Sequence, residues 1–217
     1  MKICGITRRE DALTSAHYGA DAIGLVFYKK SPRYIDPEQA QAIIKCLPPY
    51  VTVVGLFVNE STEQVKRISQ QLGLDLLQFH GDESLADCEA AEQAYVKAIR
   101  IQDEQSLPSA IKQYQSAQSL LVDSYHLDTY GGTGQSFDWQ LLLNENSQSL
   151  SNDSETLKNI PIVLAGGLNP ANVSQAIQAI GPWAVDVSSG VESSPGVKNE
   201  LLIKEFIEGV ANVNAGY

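Results

Sequence analysis

The sequence predicts an α/β protein, a single (β/α)8 (TIM) barrel domain over residues 1–217. Three observations predict it. Eight short apolar runs recur along the chain, most of them rich in Val, Ile and Leu and too short for helices. Helix-like stretches alternate with these runs through short connections, which implies parallel strands joined by right-handed crossovers. A length of 217 residues lies near the lower end of what eight such units need. The rival architecture is an open, doubly wound sheet. The unit count favours the closed barrel.

The strand signals run in order as MKICGI (1–6), DAIGLVF (21–27), VTVVGLF (51–57), DLLQFH (75–80), YVKAIRI (95–101), SLLVD (119–123), PIVLA (161–165) and WAVDV (183–187). Continuous apolar runs suit strands buried on both faces. Between the second and third, DPEQAQAIIKCL (36–47) offers Asp36 as N-cap and Pro37 as first helical residue. NESTEQVKRISQQLG (59–73) spaces Val65, Ile68 and Leu72 on one helical face and stops on Gly73. NPANVSQAIQAIG (169–181) repeats the Asn-Pro start and the Gly stop, and LLIKEFIEGV (201–210) is amphipathic. The polar stretch 144–159 has no Gly or Pro, and two further strand signals follow it. It is expected to be a solvated excursion before the seventh strand, not a domain boundary.

Composition narrows the function. A formal charge of −11 argues against a nucleic-acid partner or an anionic membrane surface. No apolar run approaches membrane-spanning length, and the charged residues Arg8, Arg9, Glu10 and Asp11 leave no signal-peptide core. Cys4, Cys46 and Cys88 are far apart and odd in number, which fits a reducing cytoplasm and neither a disulfide framework nor a zinc site. Nothing in the sequence specifies an obligate interface, and a monomer is expected.

In a barrel of this kind the active site lies at the C-terminal ends of the strands. Those ends bring forward Cys4, the YKKSPRYID segment with Lys29, Lys30 and Arg33, then His80, Asp123, Gly166-Gly167, and Asp186 followed by Ser188-Ser189-Gly190. Either glycine-containing loop alone makes a tight turn. Together, after the seventh and eighth strands, they fit a phosphate cradle of backbone N–H groups and serine hydroxyls. Lys29, Lys30 and Arg33 are either a solvated loop or a local cation for a carboxylate. An acid following Leu-Leu-Val, as Asp123 does, is costly to bury unless it is paired or functional. Cys4 alone reads as a small buried hydrophobe, and His80 as a structural residue at a strand end. Gly131, Gly132 and Gly134 lie in a long loop that is either a lid or a connector.

Taken together, KICGIT (2–7), DAIGLVFYKKSPRYI (21–35), VGLFVNE (54–60), QFHGDE (78–83), LLVD (120–123), YGGTGQSFDW (130–139), LAGGLNPANV (164–173) and VDVSSGVESSPGVK (185–198) resemble the phosphoribosylanthranilate isomerase family. The matching stretches span nearly the whole chain in family order. The resemblance implies an Amadori rearrangement of a small phosphoribosyl substrate in tryptophan biosynthesis, with no metal or organic cofactor. It implies Cys4 as general base, Asp123 as general acid, and Arg33 as holder of the anthranilate carboxylate. Gly166, Gly167, Ser188, Ser189 and Gly190 would cradle the phosphate, with Gly132, Asp186 and His80 as further substrate contacts. Asp128 is a second acid near Asp123, which is preferred because it abuts the buried strand. Chemistry agrees: a carboxyl at an apolar strand end is expected to stay protonated, and a thiol near positive charge to ionise more easily. The related isomerase of histidine biosynthesis uses acids at strands 1 and 5. Here the first strand offers Cys4. A non-catalytic phosphosugar binder would need neither Cys4 nor Asp123.

Overall fold

The computed structural model describes residues 1–124 and 160–214. Eight strands lie in the predicted places: β1 (Lys2–Cys4), β2 (Ala22–Val26), β3 (Thr52–Phe57), β4 (Leu76–Phe79), β5 (Tyr95–Ile101), β6 (Ser119–Ser124), β7 (Ile162–Leu164) and β8 (Ala184–Val187). They close into a barrel in sequence order, every pair parallel, with β1 completing the ring against β8 through the Lys2–Asp186 and Ile3–Val187 pairings. The expected (β/α)8 barrel is therefore the fold. The glycine-rich loop with Gly132, Asp128 and the polar stretch 144–159 lie outside the described residues.

Helices follow most strands: α1 (Arg9–Tyr18), α2 (Pro37–Ile44), α3 (Thr62–Leu72), α4 (Leu85–Ala90), α5 (Ser106–Gln113), α6 (Val173–Ile180) and α7 (Glu200–Asn214). Asp36 caps α2 by accepting the Gln39 N–H at 2.8 Å, with Pro37 opening the helix. Gly73 and Gly181 end α3 and α6 in the left-handed conformation. α6 starts three residues later than the Asn-Pro signal suggests. Asn169 and Asn172 hydrogen-bond backbone N–H groups in the preceding turn instead. The sequence reading did not single out α1, α4 or α5. In α1 only Asp11, Ala12 and Ser15 are buried, so no apolar stripe marks it; α4 has six residues; α5 carries Pro108.

Strand alternation sorts the side chains. Ile3, Ile23, Leu25, Phe57, Leu77, Leu120 and Leu164 point outward and are almost fully buried under the helices. Each contributes on the order of 1.5–3 kcal/mol by leaving water. The inner face carries Val26 and Leu56 beside Cys4, and Val96, Ala98, Leu121 and Ala165 across the barrel. Two further short strands, β9 (Glu192–Ser194) and β10 (Val197–Lys198), form an antiparallel hairpin after β8. Thr7 donates to the Gly196 carbonyl at its tip.

Cys88 packs at 0% exposure behind β4 and β5, and burial pushes its thiol up to about 12, against the pull of Lys97. Burial also pushes the Tyr114 phenol up to about 12. A group harder to ionise when folded favours the folded state fully below its ordinary pKa, and that contribution is lost as pH rises through the folded value. The urea midpoint is therefore expected to fall from about pH 8 towards pH 11, and less steeply in Cys88→Ala; equal slopes in the two proteins would contradict the assignment.

Candidate active site

Of the predicted site residues, Cys4, His80, Asp123 and Asp186 face the barrel interior because they share strand parity. Cys4 ends β1 pointing inward, in register with Gly24 of β2. A Cβ at Gly24 would lie 2.6 Å from the Cys4 sulfur, so the glycine makes the space that the thiol occupies. Lys2, one inward step below, sits between strands. Its Nζ donates to Gln78 Oε1 at 2.5 Å and pairs with Asp186 Oδ2 at 3.0 Å. Gln78 Nε2 meets His80 Nδ1 at 2.9 Å, and His80 Nε2 meets Asp123 Oδ2 at 3.1 Å. One polar chain thus crosses the barrel from β8 and β1 to β4 and β6. All five groups are buried.

Charge in this chain is set by competition between burial and neighbours. Burial alone would depress the Lys2 ammonium, but Asp186 and Cys4 outweigh it and hold Lys2 above its ordinary range. For Cys4 the balance goes the other way. Burial pushes the thiol up, Lys2 and Lys198 pull it down, Asp186 pushes it further up, and the net direction is upward. This corrects the expectation of an easily ionised thiol: nearby cations are present, but desolvation is larger. Among the described residues, Asp186 Oδ1 is buried without a hydrogen-bond partner.

Arg33 is buried, and its fork is already engaged. Nε and Nη2 donate to Glu192 Oε1 and Oε2 at 2.8 and 2.7 Å. Lys198 pairs with the same Glu192 at 2.8 Å and donates to the Ser188 carbonyl at 3.0 Å. Burial would raise the Glu192 carboxyl, yet Arg33 and Lys198 hold it below the usual range. Lys29 and Lys30 are exposed, so the basic cluster seen in sequence divides and only Arg33 turns inward. Lys2, Gln78, Glu192 and Lys198 were missed by the sequence reading. Lys2 and Gln78 had a signal, each lying two residues before a predicted site residue on the same strand face.

The two C-terminal loops meet. Gly166 and Gly167 have φ of 78° and 69°, and the Asn172 side chain donates to the Gly167 carbonyl at 3.0 Å. Ser188 precedes a 3-10 turn over Ser189–Val191. Gly190 is pressed so closely on the other loop that an added Cβ would stand 1.8 Å from the Leu168 carbonyl oxygen.

The profile of a family described as N-(5'phosphoribosyl)anthranilate (PRA) isomerase matches residues 1–209. The chain belongs to this isomerase family. Among its relatives is the N-(5'-phosphoribosyl)anthranilate isomerase of Pseudomonas putida (strain GB-1), 50% identical over 209 residues, or 96% of each chain. The phosphoribosyl anthranilate isomerase structure from Thermotoga maritima superposes with a TM-score of 0.85 at 40% identity, covering 97% of this chain and 98% of its own. A structure of a phosphoribosyl anthranilate isomerase in complex with reduced 1-(o-carboxyphenylamino)-1-deoxyribulose 5-phosphate gives 0.82 at 40% identity, with 97% of both chains covered. In this isomerase chain, Gly190→Ala is expected to lower stability by about 1–3 kcal/mol, read by urea titration. An unchanged midpoint would show that the two loops tolerate separation.

Proposed function

We propose that this chain catalyses the Amadori rearrangement of N-(5-phosphoribosyl)anthranilate to 1-(o-carboxyphenylamino)-1-deoxyribulose 5-phosphate, with Cys4 as general base and Asp123 as general acid. The observation that carries the reading is the burial of Cys4 and Asp123 on one inner face at the C-terminal end of the barrel, with a continuous polar chain between Lys2, beside Cys4, and Asp123. The family membership and the ligand named for a relative support the same reaction.

The chemistry runs as a series of proton transfers to and from the substrate. Protonated Asp123 donates to the ribose ring oxygen. The C1′–O bond breaks as the amine nitrogen lone pair forms a Schiff base. That cation acidifies the C2′ proton, which the Cys4 thiolate removes, and the electron pair left behind gives an enolamine. Proton addition at C1′, with loss of the O2′ hydroxyl proton, then yields the ketone. Each group is expected to supply about 10²–10⁴ in rate. Burial favours the neutral Cys4 thiol, and Lys2, Lys198 and the Schiff-base cation together favour the thiolate.

Binding is divided among the other residues. Gly166, Gly167, Ser188, Ser189 and Gly190 hold the phosphate through backbone N–H and hydroxyl donors. Asp186 Oδ1, a buried acceptor without a partner among the described residues, takes a substrate hydroxyl. Arg33 meets the anthranilate carboxylate through its Nη1 edge, since Glu192 occupies Nε and Nη2. Cys4, Cys46 and Cys88 are free thiols, in keeping with a reducing cytoplasm.

Mixing anthranilate with phosphoribosyl pyrophosphate forms the labile, fluorescent substrate in situ. Purified protein, with a metal chelator present, should accelerate its decay. Cys4→Ser and Asp123→Asn should each remove about 10²-fold or more of kcat while largely retaining affinity for a product analogue. Because the base must lose a proton from a thiol raised by burial, kcat/KM should climb with pH along a limb above the ordinary thiol range. Near-normal turnover by Cys4→Ser, or a flat profile, would end the assignment. Arg33→Ala should weaken anthranilate-bearing ligands more than plain phosphosugars in calorimetric titrations, and equal losses would remove the carboxylate role.

A further inference from the structure

We infer that Lys2, acting through Gln78, locks His80 in its Nε2–H tautomer, so that the proton Asp123 delivers is carried on Oδ1. Lys2, Gln78 and His80 are positioning residues in this scheme. The inference rests on Asp123 being the acid of the reaction above.

Lys2 carries a group whose hydrogen-bonding role is fixed by its chemistry. An ammonium has three N–H donors and accepts nothing. Lys2 Nζ stands 2.5 Å from Gln78 Oε1, so that atom of the carboxamide is its oxygen. The other end of Gln78 is then the NH2, a donor, and it faces His80 Nδ1 at 2.9 Å. Nδ1 must accept. A ring nitrogen that accepts carries no proton, so the imidazole is neutral and its proton is on Nε2. Nε2 lies 3.1 Å from Asp123 Oδ2, to which it donates.

The last link concerns the acid. In a protonated carboxyl the carbonyl oxygen is the better acceptor and the hydroxyl oxygen is the donor. With His80 donating to Oδ2, the hydroxyl is assigned to Oδ1. The opposite tautomer would present a bare Nε2 to Oδ2 and draw the acidic proton there, away from the ring oxygen it must reach. Lys2 holds this arrangement because Asp186 anchors it from the other side at 3.0 Å, across the β1–β8 junction. The whole chain is buried, so water does not compete for these donors and acceptors.

The test has a readout independent of activity. The chain holds three histidines, His17, His80 and His126, and the His80 signals are those lost in His80→Asn. Long-range 1H–15N spectra of uniformly 15N-labelled protein report which ring nitrogen is protonated. The wild type is expected to show the neutral Nε2–H form at neutral pH. An Nδ1–H form or a doubly protonated ring overturns the inference without any variant. Gln78→Glu keeps an acceptor for Lys2 but has no N–H for Nδ1, so the proton should move to Nδ1. Its kcat should fall at least about tenfold with KM changed less than about twofold. A switched tautomer with intact kcat, while Asp123→Asn is inactive, overturns the catalytic consequence and leaves Asp123 as the acid. If Asp123→Asn is itself active, the acid assignment falls and the inferred purpose of the lock with it.

Discussion

Lys2 stands where the ring of strands closes, and the interior of the barrel is organised around it. β1 has only three residues, yet it must pair with β2 on one side and β8 on the other. A buried ammonium is costly to desolvate and in itself adds little stability. Its value lies in specifying partners. Asp186 on β8 and Gln78 on β4 are the acceptors that make the charge tolerable, and both have to be at the correct register to reach it. The ion pair therefore fixes strand register at the closure, and the same contacts orient the side chains that lead to Asp123.

A second buried cluster complements the first. Arg33 from the β2–α2 loop and Lys198 from β10 share one carboxylate, Glu192. In the hairpin Glu192 and Lys198 are register partners, so the β9–β10 pairing presents both groups to the β2 loop. Two cations against one anion give this corner of the mouth a positive bias inside a chain of net charge −11. Local donors of this kind let an acidic protein attract an anionic ligand to one place and repel it elsewhere. The same bias reaches Cys4, whose thiol feels Lys198 as well as Lys2.

Much of this was legible in the sequence. Eight apolar runs, Asp36-Pro37, Gly73 and Gly181 announced strands and helix ends because those signals are local. The strand-end rule brought out Cys4, His80, Asp123 and Asp186 because side-chain parity along a strand is local too. What escaped depends on groups distant in the chain. Glu192 reaches Arg33 only through a hairpin, and no spacing encodes that pairing. The direction of the Cys4 shift depends on how completely the folded barrel excludes water, which a list of neighbouring residue types does not contain. The weakly patterned α1 escaped because its inner face is built from Asp11, Ala12 and Ser15, small or polar residues, of which Asp11 accepts hydrogen bonds from the Arg8 side chain and the Lys198 backbone N–H.

The seat that Gly24 provides for the Cys4 sulfur has a bearing on how this protein can change over time. With the sulfur already filling the place of a missing side chain, positions 4 and 24 are sterically coupled. A side chain gained at position 24 would have to be matched by a smaller or displaced one at position 4, so the two strands are expected to vary together and not independently.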